Sequence, residues 1–204
     1  MDNKDYLKDI GEIKNMMTRS SQFISLSGLS GVLAGVYALV GAYVARGILG
    51  RSTYSYDGAD ARVQPIVLIA FTVLALSVAS AFVMTYFKAR RHGEPIWNST
   101  ARRLIANFMI PLGAGGIFAL FLLRDHHYQL IAPVTLIFYG LACVNASKYT
   151  LRDVRYLGLT MVILGLWCAA FQGYGLEFWA IGFGICHIVY GSIMYFRYDR
   201  KQVF

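Results

Sequence analysis

The chain has 204 residues, 57% of them hydrophobic, with 19 Lys and Arg against 11 Asp and Glu and a net charge of +8. A soluble domain has too little interior for that much apolar side chain, so the composition requires a lipid-facing surface. It excludes a nucleic-acid module, whose basic surface would have to protrude into water.

In chain order, residues 1–22 read as a cytoplasmic amphipathic arm. Leu7, Ile10, Ile13 and Met17 recur at three- and four-residue steps, with Lys8, Glu12, Lys14 and Arg19 between them, which predicts a helix lying on the inner leaflet or docked on the inner face of the bundle. The arm mixes four acids with four bases, the wrong n-region for a cleavable signal peptide. Residues 23–204 form one membrane domain of six spans with a short tail. Six spans of about 20 residues use roughly 120 residues, leaving no separate soluble domain.

Span 1 is predicted over Phe23–Ala45 and carries Ser27, Gly31 and Gly35 four apart, the pattern that lets helix backbones approach closely. An outer loop with the turn signal Asp57-Gly58 follows, and Pro65 opens span 2, about 65–87, because the first helical turn tolerates a missing N–H. Span 3, about 104–123, contains Pro111 followed by Gly113, Gly115 and Gly116. It reads as the least regular helix, with a hinge at Pro111. Spans 4, 5 and 6 fall near 129–147, 156–172 and 176–196, with the turn Gly173-Tyr174-Gly175 making spans 5 and 6 an antiparallel pair.

Basic residues alternate between gaps. The arm, the second and fourth gaps and the tail hold 15 Lys and Arg, whereas the other side holds only Arg46, Arg51, Arg62 and Arg124. Positive charge flanking short loops is retained in the cytoplasm. The expected fold is therefore all-α and polytopic, three hairpins of six transmembrane helices with both termini inside. The expected partners are the bilayer and its anionic inner-leaflet lipids, with no nucleic acid. The small-residue stripe on span 1 equally suits a homodimer. Aromatics such as Tyr43, Tyr86, Trp97, Tyr128, Trp179 and Tyr195 mark the same span edges as an interfacial belt. The N-x-S/T matches at Asn98 and Asn145 read as chance.

An internal repeat runs through the spans. Odd spans share Gly35-Val36-Tyr37-Ala38, Gly116-Ile117-Phe118-Ala119 and Gly165-Leu166-Trp167-Cys168, and even spans share Tyr139-Gly140 with Tyr190-Gly191. Three parallel hairpins related about an axis along the membrane normal would produce it. Ser27, Gly31, Gly35, Gly116 and Gly165 are the expected helix-packing positions.

Candidate chemistry centres on His187 near the middle of span 6, since an ionisable group at that depth faces protein or a water-filled cavity. Two readings stand: a proton-responsive or ligand-binding group, or a neutral imidazole bonded to another helix through Tyr139 or Ser77, which lie at similar depth. Asn107, Asn145 and Lys148, with Tyr190, are candidates for a polar pocket open to the cytoplasm, with interhelical hydrogen bonds as the alternative. Arg124-Asp125-His126-His127 reads as a solvated turn rather than a metal site, because neighbouring residues rarely point at one ion. Glu177 is a candidate partner for Arg124. Cys143, Cys168 and Cys186 read as packing residues. No metal or cofactor is expected. The chain has no HExxH motif, no phosphate loop and no paired intramembrane carboxylates.

The stretches from Arg19 to Gly31 (Arg19-Ser20-Ser21-Gln22-Phe23-Ile24-Ser25-Leu26-Ser27-Gly28-Leu29-Ser30-Gly31) and from Trp179 to Gly191 (Trp179-Ala180-Ile181-Gly182-Phe183-Gly184-Ile185-Cys186-His187-Ile188-Val189-Tyr190-Gly191) resemble an uncharacterised family of largely Bacteroidota-type bacterial inner-membrane proteins. The resemblance covers nearly the whole chain and implies a six-span inner-membrane protein without implying an activity. The three-hairpin plan is also loosely similar to the acid-resistance family of repeated membrane hairpins, a likeness of pattern that transfers no residues. The functional expectation is a non-enzymatic sensor, accessory or stress-related membrane component. Its rival is a small transporter or channel with a midplane site around His187.

Overall fold

A computed structural model describes residues 27–50, 58–91 and 97–199. The expected arm and the last residues of the tail lie outside these. Among the described residues every element is helical: α1 Gly28–Gly50, α2 Gly58–Arg91, α3 Ser99–Arg124, α4 Ile131–Ala146 after a single tight turn at Tyr128–Leu130, α5 Asp153–Ala170 and α6 Gly175–Asp199. Six of the helical segments are long and apolar enough to cross a membrane. The chain is an all-α, multi-span protein.

The bounds depart from expectation in several places: α3 starts at Ser99 rather than 104, and α2 runs to Arg91 rather than 87. The described part of the first helix ends at Gly50, five residues beyond the expected edge, and the second begins at Gly58, so that Pro65 lies inside it rather than opening it. Gly58, expected in a turn, is helical, and the helix runs on through the proline. Asn98 serves as a helix cap. Its side-chain oxygen accepts the Ala101 N–H at 2.7 Å at the start of α3.

The helices form a row rather than a closed ring. α6 lies at its centre, packed along α1 on one side and against α4 and α5 on the other. Among the described residues α2 makes substantial contact only with α1, and α3 only with α4 and the turn before it. Spans 5 and 6 are antiparallel neighbours, but the main partner of α5 is α4 and that of α6 is α1. Between α4, α5 and α6 lies the core, with Leu136, Met161 and Cys143 almost fully enclosed.

The two main interfaces are built alike. Ile137-Phe138-Tyr139-Gly140 on α4 and Ile188-Val189-Tyr190-Gly191 on α6 share the pattern Ile-x-Tyr-Gly. A Cβ on Gly165 of α5 would lie 2.6 Å from Ile137 Cγ1 and 3.0 Å from its backbone nitrogen; one on Gly35 of α1 would lie 2.7 and 3.0 Å from the same atoms of Ile188. Seven residues earlier on each odd helix, Gly158 and Gly28 meet Gly140 and Gly191: a Cβ on Gly158 would stand 2.6 Å from the Gly140 carbonyl oxygen, and one on Gly28 2.6 Å from that of Gly191. Any larger residue at these four crossings forces the backbones apart. Two contacts between hairpins, the second with the third and the third with the first, are thus equivalent.

One expected packing residue is corrected. Among the described residues nothing lies within 4 Å of a Cβ placed on Gly116, and its neighbour Gly115 is the one pressed against Phe138 of α4. The glycine cluster spans two faces of α3, and the 100° step between successive residues decides which one turns toward α4.

Candidate functional site around His187

The irregular helix is α6. Ala180–Cys186 winds in wide π-type turns, and ordinary α geometry resumes at His187. The backbone N–H of His187 donates to the Gly184 carbonyl, and its ring Nδ1 lies 3.0 Å from the Gly182 carbonyl oxygen. A carbonyl only accepts, so Nδ1 carries the proton. In the neutral imidazole Nε2 is then an acceptor, and the Tyr139 hydroxyl on α4 donates to it at 2.7 Å. The ring is 7% exposed, stacks on Phe183 and lies against the Tyr139 ring. Of the two partners expected for His187, Tyr139 is the one used; Ser77 is on α2, where its carbonyl accepts from the Ser80 hydroxyl.

Tyr190 turns elsewhere. Its hydroxyl pairs with Thr160 of α5 at 3.3 Å. His187, Tyr139 and Tyr190 therefore stitch α6 to both α4 and α5. They do not line one common pocket with the asparagines.

Asn107 and Asn145 meet at the α3–α4 contact for a backbone reason. Pro111 has no N–H to give to the carbonyl four residues before it, that of Asn107. The Asn145 side chain donates to that carbonyl at 2.9 Å, while the Asn107 side chain donates to the Arg103 carbonyl at 2.8 Å. Lys148 donates to the Asn145 side-chain oxygen at 3.3 Å. The helix runs unbroken through Pro111, because a neighbouring side chain satisfies the acceptor that the proline leaves behind.

The first and last helices meet at the basic end. The Gly28 N–H donates to Asp199 Oδ2 at 3.0 Å, and Lys88 Nζ reaches Oδ1 at 2.7 Å. Both side chains of this pair are nearly enclosed, 12% and 13% exposed. Arg197, two residues before Asp199, reaches one carboxylate oxygen of Asp153 in the first turn of α5 at 3.3 Å. Sequence reasoning gave neither Asp153 nor Asp199 a role. The available signal was their place at helix ends beside Arg152 and Arg197.

At the opposite end, Glu177 pairs with Arg46 at 3.7 Å rather than with Arg124, which bonds its own neighbour Asp125 through two nitrogens. A side chain one residue away reaches without further ordering of the chain, and so it wins the arginine. That hydrogen bond holds the Asp125 carboxyl below its ordinary range. His126 adopts φ +60° and its ring nitrogen pairs with the Tyr128 hydroxyl at 2.6 Å. Among the described residues no three His, Cys, Asp or Glu side chains converge on one point. The three cysteines are free, two of them buried.

No family model, curated protein or solved structure matches the chain. The case for function therefore rests on these side chains alone. A shallow depression of about 430 Å³ lies near the end of α1, lined by Tyr43, Val44, Arg46, Gly47 and Ile48. It lies roughly 12 Å along the helix from Gly35, which packs beside Ile188.

Proposed function

We propose that the chain is a non-enzymatic component of a bacterial inner membrane, in a sensing, accessory or stress-related role, with both termini in the cytoplasm. One observation carries this reading: the imidazole of His187 spends both nitrogens on the fold, one on Tyr139 and one on Gly182, while the ring is enclosed by aromatic side chains. A group so occupied joins helices and offers no open valence to a passing solute. The 15-to-4 division of basic residues supports the orientation, and the meeting of Gly28 with Asp199 supports placing both ends on one side.

The test is solute and proton flux in proteoliposomes holding the full chain. The expected result is flux equal to that of empty vesicles, unchanged by His187→Ala. Flux that exceeds the empty vesicles and disappears with His187→Ala overturns the reading. A transporter or channel is the second reading, favoured by the π-type turns beside His187, because such turns concentrate at functional sites.

A further inference from the structure

We propose that the basic end of the α3–α4 contact, between Arg103 and Lys148, binds the phosphate of an anionic phospholipid. The register of the two helices places the cations. Gly115 of α3 is pressed against Phe138 of α4, and the Asn107 carbonyl accepts from the Asn145 side chain. Eight residues back along α3 thus match seven residues on along α4, as antiparallel neighbours require. Four more residues back reach Arg103, and three more on reach Lys148. Arg103, Asn107, Pro111 and Gly115 follow at four-residue steps, so all four belong to the face of α3 that meets α4.

Two positive charges therefore stand opposite each other where two helices meet, and like charges so placed repel. Both side chains are exposed. Among the described residues neither meets a carboxylate. The two described acids of this end are taken, Asp199 by Lys88 and Asp153 by Arg197, and Lys148 has the neutral amide oxygen of Asn145. An anion between the two cations removes the repulsion, and a phosphate accepts from a guanidinium and an ammonium at once. Depth decides for a lipid over free phosphate. Seven residues from each cation, two turns further into the span on the same line of its helix, stands an exposed aliphatic side chain. These are Ile110 on α3, 71% exposed, and Leu141 on α4, 43% exposed. Both lie about 10 Å from the cations along the helix. A headgroup held by Arg103 and Lys148 thus starts its acyl chain between Ile110 and Leu141. Basic pockets between helices at a membrane edge take phosphorylated headgroups in this way. The site stands whether the chain is an accessory component or a transporter.

The test is native mass spectrometry of the full chain released from nanodiscs of phosphatidylcholine and phosphatidylglycerol in equal amounts. Phosphatidylglycerol is expected to stay bound at least tenfold more than phosphatidylcholine. Arg103→Gln combined with Lys148→Gln is expected to remove that preference. Arg90→Gln combined with Arg91→Gln, which takes the same charge from the end of α2, is expected to leave it in place. Stability gives a second readout with a sign of its own. In phosphatidylcholine alone, Arg103→Gln is expected to raise the thermal midpoint by about 1–2 °C, because the repulsion is gone; with phosphatidylglycerol present it is expected to lower it by a similar amount. Equal retention of the two lipids, a preference that survives the Arg103 and Lys148 pair, or one lost equally with the Arg90 and Arg91 pair overturns the proposal. So does a midpoint that moves the same way in both lipids, or one raised as much by inorganic phosphate as by phosphatidylglycerol.

Discussion

α2 and α4 invert the usual relation between hydrophobicity and burial. α2 is the most apolar of the six, yet no residue of its most apolar stretch is fully buried, whereas 39% of the corresponding stretch of the less apolar α4 is. In water the most apolar segment would be the core. In a bilayer lipid is as apolar as leucine, so hydrophobicity marks exposure, and the protein-facing surfaces are set by small residues and by polar groups with partners. α4 and α5 meet at Gly140, Gly158 and Gly165; α1 and α6 meet at Gly28, Gly35 and Gly191. α2 offers phenylalanine and leucine to lipid instead, with Phe82 and Leu68 each 67% exposed.

The sharpest test of that contrast is Gly140→Leu. Its side chain would have to pass the Gly158 carbonyl and the backbone nitrogen of Val162, 2.6 and 2.9 Å from the Cβ position. A loss of about 3 kcal/mol or more is expected, seen as loss of the cooperative thermal transition in detergent. A smaller loss, about 2 kcal/mol, is expected for Lys88→Met, which strands a nearly enclosed Asp199 carboxylate. Asp199→Asn should be milder, because an amide oxygen still accepts from Gly28. Chemical denaturation of each variant orders the three.

Asn145→Ala should cost about 1 kcal/mol by leaving the Asn107 carbonyl without its donor. In a Pro111→Ala background the restored N–H serves that carbonyl, and the same substitution becomes nearly neutral. Equal losses in both backgrounds would show that Asn145 acts through packing. The smallest effect belongs to the flank: Phe82→Ala, on the lipid face of α2, is expected to shift stability by less than about 0.5 kcal/mol. A large loss there would break the contrast with α4.

Much of this was legible in the chain. Alternating basic gaps and aromatic edges placed the spans within a few residues, since both signals come from the bilayer and need no tertiary information. Depth alone linked His187 to Tyr139. The repeat singled out Gly35 and Gly165 correctly because their contacts recur. It misplaced the third glycine, since Gly115 and Gly116 differ by 100° of rotation and only the position of α4 decides between them. The shared purpose of Pro111, Asn107 and Asn145 stayed hidden as well: the two asparagines were grouped, as pocket residues or interhelical hydrogen bonds, but not with Pro111, because a proline's unmet acceptor is a property of the backbone, visible only when a donor from another helix is seen beside it. Asp199 went unnoticed because its partners, Gly28 and Lys88, are 171 and 111 residues away.

The contact of Gly28 with Asp199 brings the first and last helices of the chain together, at an interface matching the one that residues 147–152 bridge covalently between α4 and α5. The order in which the hairpins are strung is thus a matter of where the polypeptide happens to be cut. A circularly permuted chain, with its old ends joined and new ones opened between Arg91 and Trp97, keeps every glycine crossing and every in–out alternation, and should insert and fold as the parent does.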